Sequence, residues 1–165
     1  MFFMLPAWGL SNAAATLVGQ NLGNKDPEKA SKSVMMTMKF NIIYMLIVSV
    51  IFYGLSNYLV SIFTTEEHIK IVARDGMYIL ATGFLLYRIG MVMMNTFNGA
   101  GDTMTPTLIN LVGFWLFQIP LAYVLSYYFN LKEEGVFIAI TVSETFIAIV
   151  AFILFRRGKW KLKQV

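Results

Sequence analysis

The sequence predicts an all-helical membrane protein with five transmembrane helices, and three observations support this fold class. Hydrophobic residues make up 58% of the 165 residues and charged residues 13%, whereas a soluble domain is about 45–50% apolar and about 25% charged. The mean hydropathy is +0.66. Five separate stretches of about 20 mainly apolar residues are each long enough to cross the hydrocarbon core of a bilayer.

The same composition excludes several other classes of protein. The 14 Phe, 8 Tyr and 3 Trp are too many for a disordered chain. The net charge of +4 is concentrated near segment ends and forms no broad basic patch, so nucleic acid is not an expected partner. The absence of cysteine excludes a disulfide framework, a thiolate metal site and a cysteine nucleophile within this sequence.

The predicted spans cover residues 1–22, 40–63, 77–98, 108–129 and 136–155, and a basic tail, 156–165, follows them. The first span is the least apolar of the five. Arg88 interrupts the third span and Glu144 interrupts the fifth. A span of 24 residues is about 36 Å long, which is enough to cross the membrane with some tilt.

Helix start and stop signals mark the ends of these spans. Asp26 is a good N-cap and Pro27 suits the first helical position, so we expect one helix to run from Pro27 into the second span. Gly23 is expected as the C-terminal glycine of the first helix. Residues 99–102 (Gly-Ala-Gly-Asp) predict a tight turn, and residues 105–106 (Thr-Pro) predict the start of the fourth helix.

The distribution of basic residues predicts the orientation of the chain in the membrane. Five spans divide the connecting segments into two sides, with nine Lys and Arg on one side and three on the other. The richer side holds Lys25, Lys29, Lys32, Lys39, Arg156, Arg157, Lys159, Lys161 and Lys163, and the poorer side Lys70, Arg74 and Lys132. Basic residues accumulate on the cytoplasmic side, so the C-terminus is predicted to be cytoplasmic, and Trp160 is expected at the membrane interface.

This orientation places Met1 on the outer side of the membrane. No basic residue precedes Lys25, so the charged region that begins a signal peptide is missing. We therefore expect Met1 to be an internal methionine of a longer protein.

Two motifs carry a resemblance to a known family. Residues 15–23 read ATLVGQNLG and residues 98–106 read NGAGDTMTP, the latter followed by Trp115 and Pro120. Together with the ending from Gly135 to Trp160, they resemble the multidrug and toxic compound extrusion (MATE) transporters. The motif positions expected to have structural roles are Gly19, Gln20, Gly23, Gly99, Gly101, Asp102, Pro106 and Pro120.

The resemblance implies a fold larger than this chain. The family has twelve helices in two pseudosymmetric lobes, and this chain resembles helices eight to twelve, most of the C-terminal lobe. The expected partners are membrane lipid, small organic substrates and the missing N-terminal lobe of the same protein.

The resemblance also implies a function. Such proteins are antiporters that export organic, often cationic compounds in exchange for protons or sodium ions, so the coupling ion replaces any cofactor and no enzyme activity is expected. The motifs that would mark a nucleotide-binding loop are missing from this sequence.

Glu144 and Arg88 are the candidate site residues, because a charge within the membrane usually faces the protein interior or water. Glu144 lies on a predicted protein-facing stripe, opposite a lipid-facing stripe. The depths of the two charges nearly match, so we expect Arg88 and Glu144 to pair directly or through water. Asn95 and Tyr87 complete the candidate site. A substrate or ion-coupling site and a structural ion pair remain two open interpretations.

The third span departs from the family pattern. Sodium-coupled members have an acidic residue there, whereas residues 77–98 contain no Asp or Glu and have Tyr87 and Arg88 instead. Coupling to protons at an acidic residue of the missing lobe is therefore an alternative to sodium. Asp102 is expected to be a turn and cap residue, and Pro120 either a hinge or a static kink.

Two other functions remain open. The chain could be a truncated, non-transporting membrane fragment or an oligomerising scaffold. It could also be a lipid-linked sugar flippase of the same superfamily, although Arg88 is the one basic residue within the predicted spans.

Overall fold

The computed structural model describes residues 4–162, and the first and last three residues of the chain lie outside it. Five long helices follow one another along the chain. Their bounds are Met4–Gly23 (α1), Pro27–Phe63 (α2), Glu67–Gly99 (α3), Met104–Tyr128 (α4) and Lys132–Arg156 (α5). A short 3₁₀ turn, Lys159–Leu162, follows α5.

The protein is therefore an all-helical membrane protein, as predicted. Helices α2, α3, α4 and α5 are each long and apolar enough to cross a membrane. Helix α1 occupies the first predicted span, but within the described residues it does not reach the same length and hydropathy. Its role as a fifth span stays a prediction.

The junction between α1 and α2 contains the predicted helix end and helix cap. The Asp26 side chain accepts a hydrogen bond from the backbone N–H of Lys29 at 2.9 Å, and α2 begins at Pro27 as expected. Gly23 is the last residue of α1, at the predicted C-terminal position. The left-handed residue of the turn that follows is Lys25, with φ +57°.

The turn between α3 and α4 has the predicted tight geometry. Gly101 adopts φ +75°, which a side chain disfavours. The N–H of Asp102 donates to Phe97 O at 2.9 Å and that of Gly101 to Asn98 O at 3.1 Å, the two bonds of a Schellman motif. The Asp102 carboxylate then accepts from the N–H and the hydroxyl of Thr105. Helix α4 therefore begins at Met104, with Thr103 at the N-cap position, slightly before the predicted start at residues 105–106.

Helix α4 continues through Pro120 without a break. It is π-helical over Leu111–Gln118 and Val124–Tyr128 and α-helical between them. Proline lacks the N–H that would bond to an earlier carbonyl, and the winding changes beside Pro120. The two predicted roles of Pro120, hinge and static kink, stay open.

The helices pack as a group of four with α4 on its outer side. Helix α3 is central: it packs against α1, α2 and most extensively α5, while α4 packs mainly on α5. The outward faces carry large apolar side chains, such as Val50, Phe63, Leu116 and Ile149, which suit contact with lipid.

The start of the basic tail folds back onto the helix bundle. Trp160 is 1% exposed, its ring stacks on Phe155 at 5.2 Å, and its Nε1–H donates to Phe155 O at 3.1 Å. Gly158, at φ +70°, makes this reversal of the chain. The ring of Trp160 therefore belongs to the core formed by the helix ends, and its depth at the membrane interface stays a prediction.

Candidate functional site

The two family-like motifs contact each other where α1 crosses the end of α3. A Cβ atom on Gly99 would lie 2.6 Å from the Cα of Ala15, and one on Gly19 would lie 3.2 Å from Gly99 O. The crossing therefore depends on small residues in both motifs. It closes the packing at this end of the bundle and contains no chemically reactive group.

The other motif positions differ in their surroundings. Pro106 is buried, whereas Gln20, Gly23 and Pro120 are exposed. Asn21, beside Gln20, donates from its side-chain amide to Leu17 O at 2.7 Å and to Ser33 Oγ at 3.3 Å, which joins α1 to α2. These positions support local structure.

The candidate site is a pocket of about 260 Å³ between α3 and α5. Its walls are mostly apolar and aromatic, and Glu144 is its one charged residue. The lining residues are Leu80, Gly83, Phe84, Tyr87, Ile140, Thr141 and Glu144. A single carboxylate among apolar and aromatic groups is suited to bind an organic cation.

Arg88 lies buried beside this pocket and is 1% exposed. Its Nη1 donates to the Met91 sulfur at 3.1 Å, and its guanidinium carbon lies 4.9 Å from the centre of the Tyr87 ring. Its Nε is buried without a hydrogen-bond partner. Met91 lies three residues after Arg88, so the two side chains share one face of α3.

Arg88 and Glu144 do not form a salt bridge. The salt bridges found across residues 4–162 are Lys70–Glu67 and Arg74–Asp75, at the start of α3. The prediction of direct pairing is therefore wrong for this conformation, because Met91 and Tyr87 hold the guanidinium instead. Contact through water stays a prediction.

The structure brings together three of the four predicted site residues. Tyr87 and Glu144 line the pocket, and Arg88 lies beside it. Asn95, two turns further along α3, is half-buried and is not among the lining residues. Phe84 and Ile140, which sequence reasoning missed, contribute to the walls; each lies one turn from a predicted site residue, and that spacing could have identified them.

The two predicted faces of α5 are largely confirmed. Ala148 and Ala151 on the stripe of Glu144 are buried, whereas Ile149 and Ile153 on the opposite stripe are exposed. Phe146 is the exception, because its ring stacks on Phe117 of α4 at 4.8 Å. The predicted close-contact pair of small residues, Ala139 and Ser143, is fully buried.

The site lies where α3 and α5 run parallel in close contact. A Cβ atom on Gly83 would lie 2.8 Å from Cγ2 of Thr141, and one on Gly90 would lie 3.1 Å from the Cα of Ala148. From the first contact to the second, each helix advances by seven residues, which is about two turns. The two helices therefore run in the same direction. Arg88 and Glu144 lie between these two contacts, so the helix backbones hold them at similar depth.

Comparison with known proteins identifies the family. The MatE family profile matches residues 1–124. The chain is 26% identical over 161 residues to a probable multidrug resistance protein NorM of Thermotoga maritima, covering 98% of this chain and 35% of that protein. It is 24% identical over 159 residues to human multidrug and toxin extrusion protein 1, covering 96% of this chain and 28% of that protein.

Solved structures show the same fold. A MATE crystal structure in the straight conformation superposes on the whole chain with a TM-score of 0.90 at 23% identity, and the chain covers 37% of it. An inward-facing multidrug resistance MATE family transporter superposes with a TM-score of 0.88 at 22% identity, and the chain covers 39% of it. The chain thus spans about a third of the length of the relatives it matches, and it belongs to the MatE family, the multidrug and toxic compound extrusion proteins, as a multi-pass membrane protein.

Proposed function

We propose that this chain forms most of the C-terminal lobe of a secondary active antiporter that exports organic, often cationic compounds. The observation that carries the proposal is the pocket between α3 and α5, in which Glu144 is the one charge among apolar and aromatic walls. Family membership supports the same function, since the relatives are named as multidrug resistance and toxin extrusion proteins. The missing N-terminal lobe and membrane lipid are the proposed partners.

For the coupling ion, we propose a proton or a sodium ion, and the site chemistry favours the proton. A metal cation in a protein site usually has several oxygen ligands, whereas the pocket offers one carboxylate and the hydroxyls of Tyr87 and Thr141. One carboxylate is sufficient to carry one proton. An ion gradient supplies the driving force, so the proposal requires no hydrolytic chemistry.

We propose a location in the cytoplasmic membrane with the C-terminus on the cytoplasmic side. The support is the excess of Lys and Arg in the segments on that side of the predicted spans. In the described fold, α2 begins on this side and α5 ends there, so the N-terminal turns of α2 and the tail after α5 together carry most of the basic residues.

The first test is Glu144→Gln in the protein as its gene encodes it. We expect normal amounts in the membrane and at least about a tenfold loss of efflux of a fluorescent organic cation, because the amide has the size of the carboxyl group but no negative charge. Efflux should be measured in cells that lack other exporters, with the amount in the membrane quantified by immunoblot. Glu134→Gln, at an exposed position of the same helix, is the matched control and should export like the wild type.

Two results would contradict this role of Glu144. If Glu144→Gln exported the cation as well as the wild type, the carboxylate of Glu144 would not be required for transport. Loss of the protein from the membrane, with normal efflux per remaining molecule, would mean that Glu144 stabilises the fold instead.

The second candidate function is a non-transporting membrane fragment or an oligomerising scaffold, and the observation that favours it is the chain's span of about a third of its relatives. An immunoblot of the tagged chromosomal product separates the candidates. A band more than twice the calculated 18.7 kDa supports the antiporter, and a band near that mass supports the fragment. The sugar flippase is less well supported, because Arg88 is not among the residues that line the pocket.

A further inference from the structure

Arg88 is a buried cation with weak partners. Its Nη1 donates to the Met91 sulfur at 3.1 Å, and its guanidinium carbon lies 4.9 Å from the centre of the Tyr87 ring. Its Nε is buried without a hydrogen-bond partner. Sulfur is a weak acceptor and an aromatic face replaces little of the lost hydration. Buried charges in proteins are ordinarily paired and hydrogen-bonded, so the guanidinium has an unmet requirement for a counter-ion.

Glu144 is the carboxylate that can meet this requirement. It lies on α5 between Thr141 and Ala148, the residues that contact Gly83 and Gly90 of α3, and therefore at a depth similar to that of Arg88. It also lines the pocket, where a mobile cation would contact it. The Arg88 guanidinium and a mobile cation in the pocket would therefore compete for the single carboxylate of Glu144.

The helix packing allows the two side chains to meet without movement of the backbone. The contacts of Gly83 with Thr141 and of Gly90 with Ala148 hold α3 and α5 in parallel register above and below the site. Arg88 lies five residues beyond Gly83, and Glu144 three residues beyond Thr141. The difference of two residues corresponds to about 3 Å along the helix axis, which the long, flexible side chain of arginine can span.

We propose that Arg88 is a tethered counter-ion of Glu144: its guanidinium alternates between the contacts with Met91 and Tyr87 that the structure shows and a pair with the carboxylate, where it competes with a mobile cation. This inference rests on the proposed function and adds a mechanism of release to it. The tethered cation competes with the transported one, which weakens binding and promotes dissociation. When the pair forms, Glu144 is no longer an unpaired negative charge within the membrane, where such a charge is costly.

The inference predicts that removal of the Arg88 charge changes binding and transport in opposite directions. In the full-length protein in lipid nanodiscs, Arg88→Gln should bind tetraphenylphosphonium about tenfold more tightly, a coupling typical of two linked sites. Binding should be measured up to about pH 9.5, where even a buried carboxyl group is ionised. Counterflow of the same cation in proteoliposomes should fall by about tenfold, because release is slower.

Three further variants isolate the pair. Arg88→Lys keeps the charge and should remain near the wild type in both measurements. Arg88→Gln combined with Glu144→Gln should show none of the gain in affinity, since the shared carboxylate is gone. Arg74→Gln removes an arginine of α3 that is paired with Asp75 outside the pocket, and it should behave as the wild type.

Two results would overturn the inference and leave the proposed function standing. The first is that Arg88→Gln binds tetraphenylphosphonium no more tightly than the wild type. The second is that Arg88→Gln increases the affinity equally when Glu144→Gln is also present. If the wild-type protein neither binds nor moves the cation, the proposed function fails. The inference is then tested by the thermal midpoints of ligand-free Arg88→Gln, Glu144→Gln and the double variant. If the midpoint shift of the double variant differs from the sum of the two single shifts, pairing is supported; if it equals that sum, the inference is overturned. If Arg88→Gln does not accumulate, Glu144→Gln must restore its amount by removing the stranded charge, and failure of that rescue also overturns it.

Discussion

Trp160 shows how a single side chain can hold the end of the chain in place. Its ring is buried against Phe155 and belongs to the same core as Leu22, Val34 and Phe97 of the first three helices. Because burial of a large aromatic ring is one of the strongest single-residue contributions to packing, the fold-back of the tail stabilises this end of the bundle.

Trp160→Ala should therefore reduce the stability of the protein by about 3 kcal/mol, since it removes a buried ring and leaves a cavity. The thermal midpoint of the purified full-length protein in a nanodisc measures this. Trp115→Ala is the matched control, because Trp115 is 67% exposed on the outer face of α4 and should have little effect. Equal midpoints for the two variants would mean that Trp160 does not contribute to the core.

The position of Trp160 could not be predicted from its surroundings in the sequence. A tryptophan among basic residues after a span is typical of the membrane interface. Its burial depends on the reversal at Gly158 and on contacts with helices more than a hundred residues away. The charged pair shows the same limit: sequence spacing predicted the similar depth of Arg88 and Glu144, but the contacts of Arg88 with Met91 and Tyr87 depend on rotamers, which the spacing does not determine.

At the scale of single elements, the helix ends show how much local sequence signals can predict. Asp26 and Asp102 act within their own turns, and both were predicted to have cap or turn roles that the structure confirms. Gly23 was predicted to be the C-terminal glycine of the first helix, and α1 ends there. The left-handed conformation of Lys25 was not predicted, because it depends on how the turn leads into the next helix.

Alanine substitutions at Gly23 and Gly101 test the backbone conformations of these two helix ends, because opposite effects on stability are expected. Gly23→Ala should stabilise the protein by about 0.5–1 kcal/mol, because Gly23 is helical with open space around its Cα. Gly101→Ala should destabilise it by about 1 kcal/mol, because φ of +75° is unfavourable for alanine. Thermal midpoints of the two variants measure both effects, and destabilisation by Gly23→Ala would contradict the helical conformation and open surroundings of Gly23.

The crossing of α1 and α3 leads to a prediction for Gly99. Gly99→Ala should reduce stability by about 1–3 kcal/mol, because its Cβ would overlap the backbone of Ala15, which cannot move as a flexible side chain can. Gly54→Ala, in the middle of α2 with nothing within 4 Å, is the control and should be neutral or stabilising. Chemical denaturation of the two variants in the same detergent compares them, and a neutral Gly99→Ala would exclude close backbone contact at this crossing.

At the scale of the whole molecule, the apolar composition predicted the fold class and the spans because the bilayer imposes a length on each helix. The proposed orientation rests on the unequal distribution of basic residues. The pocket could be predicted only in part: Glu144 and Tyr87 were identified as candidates, but its walls depend on the parallel register of α3 and α5. That register is set by contacts such as Gly83 with Thr141, between residues far apart in the sequence.

Single cysteines test the proposed orientation, since this sequence contains none. In a background without other cysteines, His68→Cys, at an exposed position in the first turn of α3, should react with a membrane-impermeant maleimide added to intact cells. Lys159→Cys, after α5, should react only after the cells are permeabilised. The reverse pattern would place the C-terminus outside and contradict the proposed topology.

The most direct test of the central proposal is gradient-driven exchange by the purified native protein in proteoliposomes. Movement of tetraphenylphosphonium against its own gradient should occur when a proton or sodium gradient is imposed, stop when that gradient is collapsed, and fall at least about tenfold in Glu144→Gln. A correctly inserted wild-type protein that moves no cation under either gradient would contradict the antiporter and the role of this pocket together.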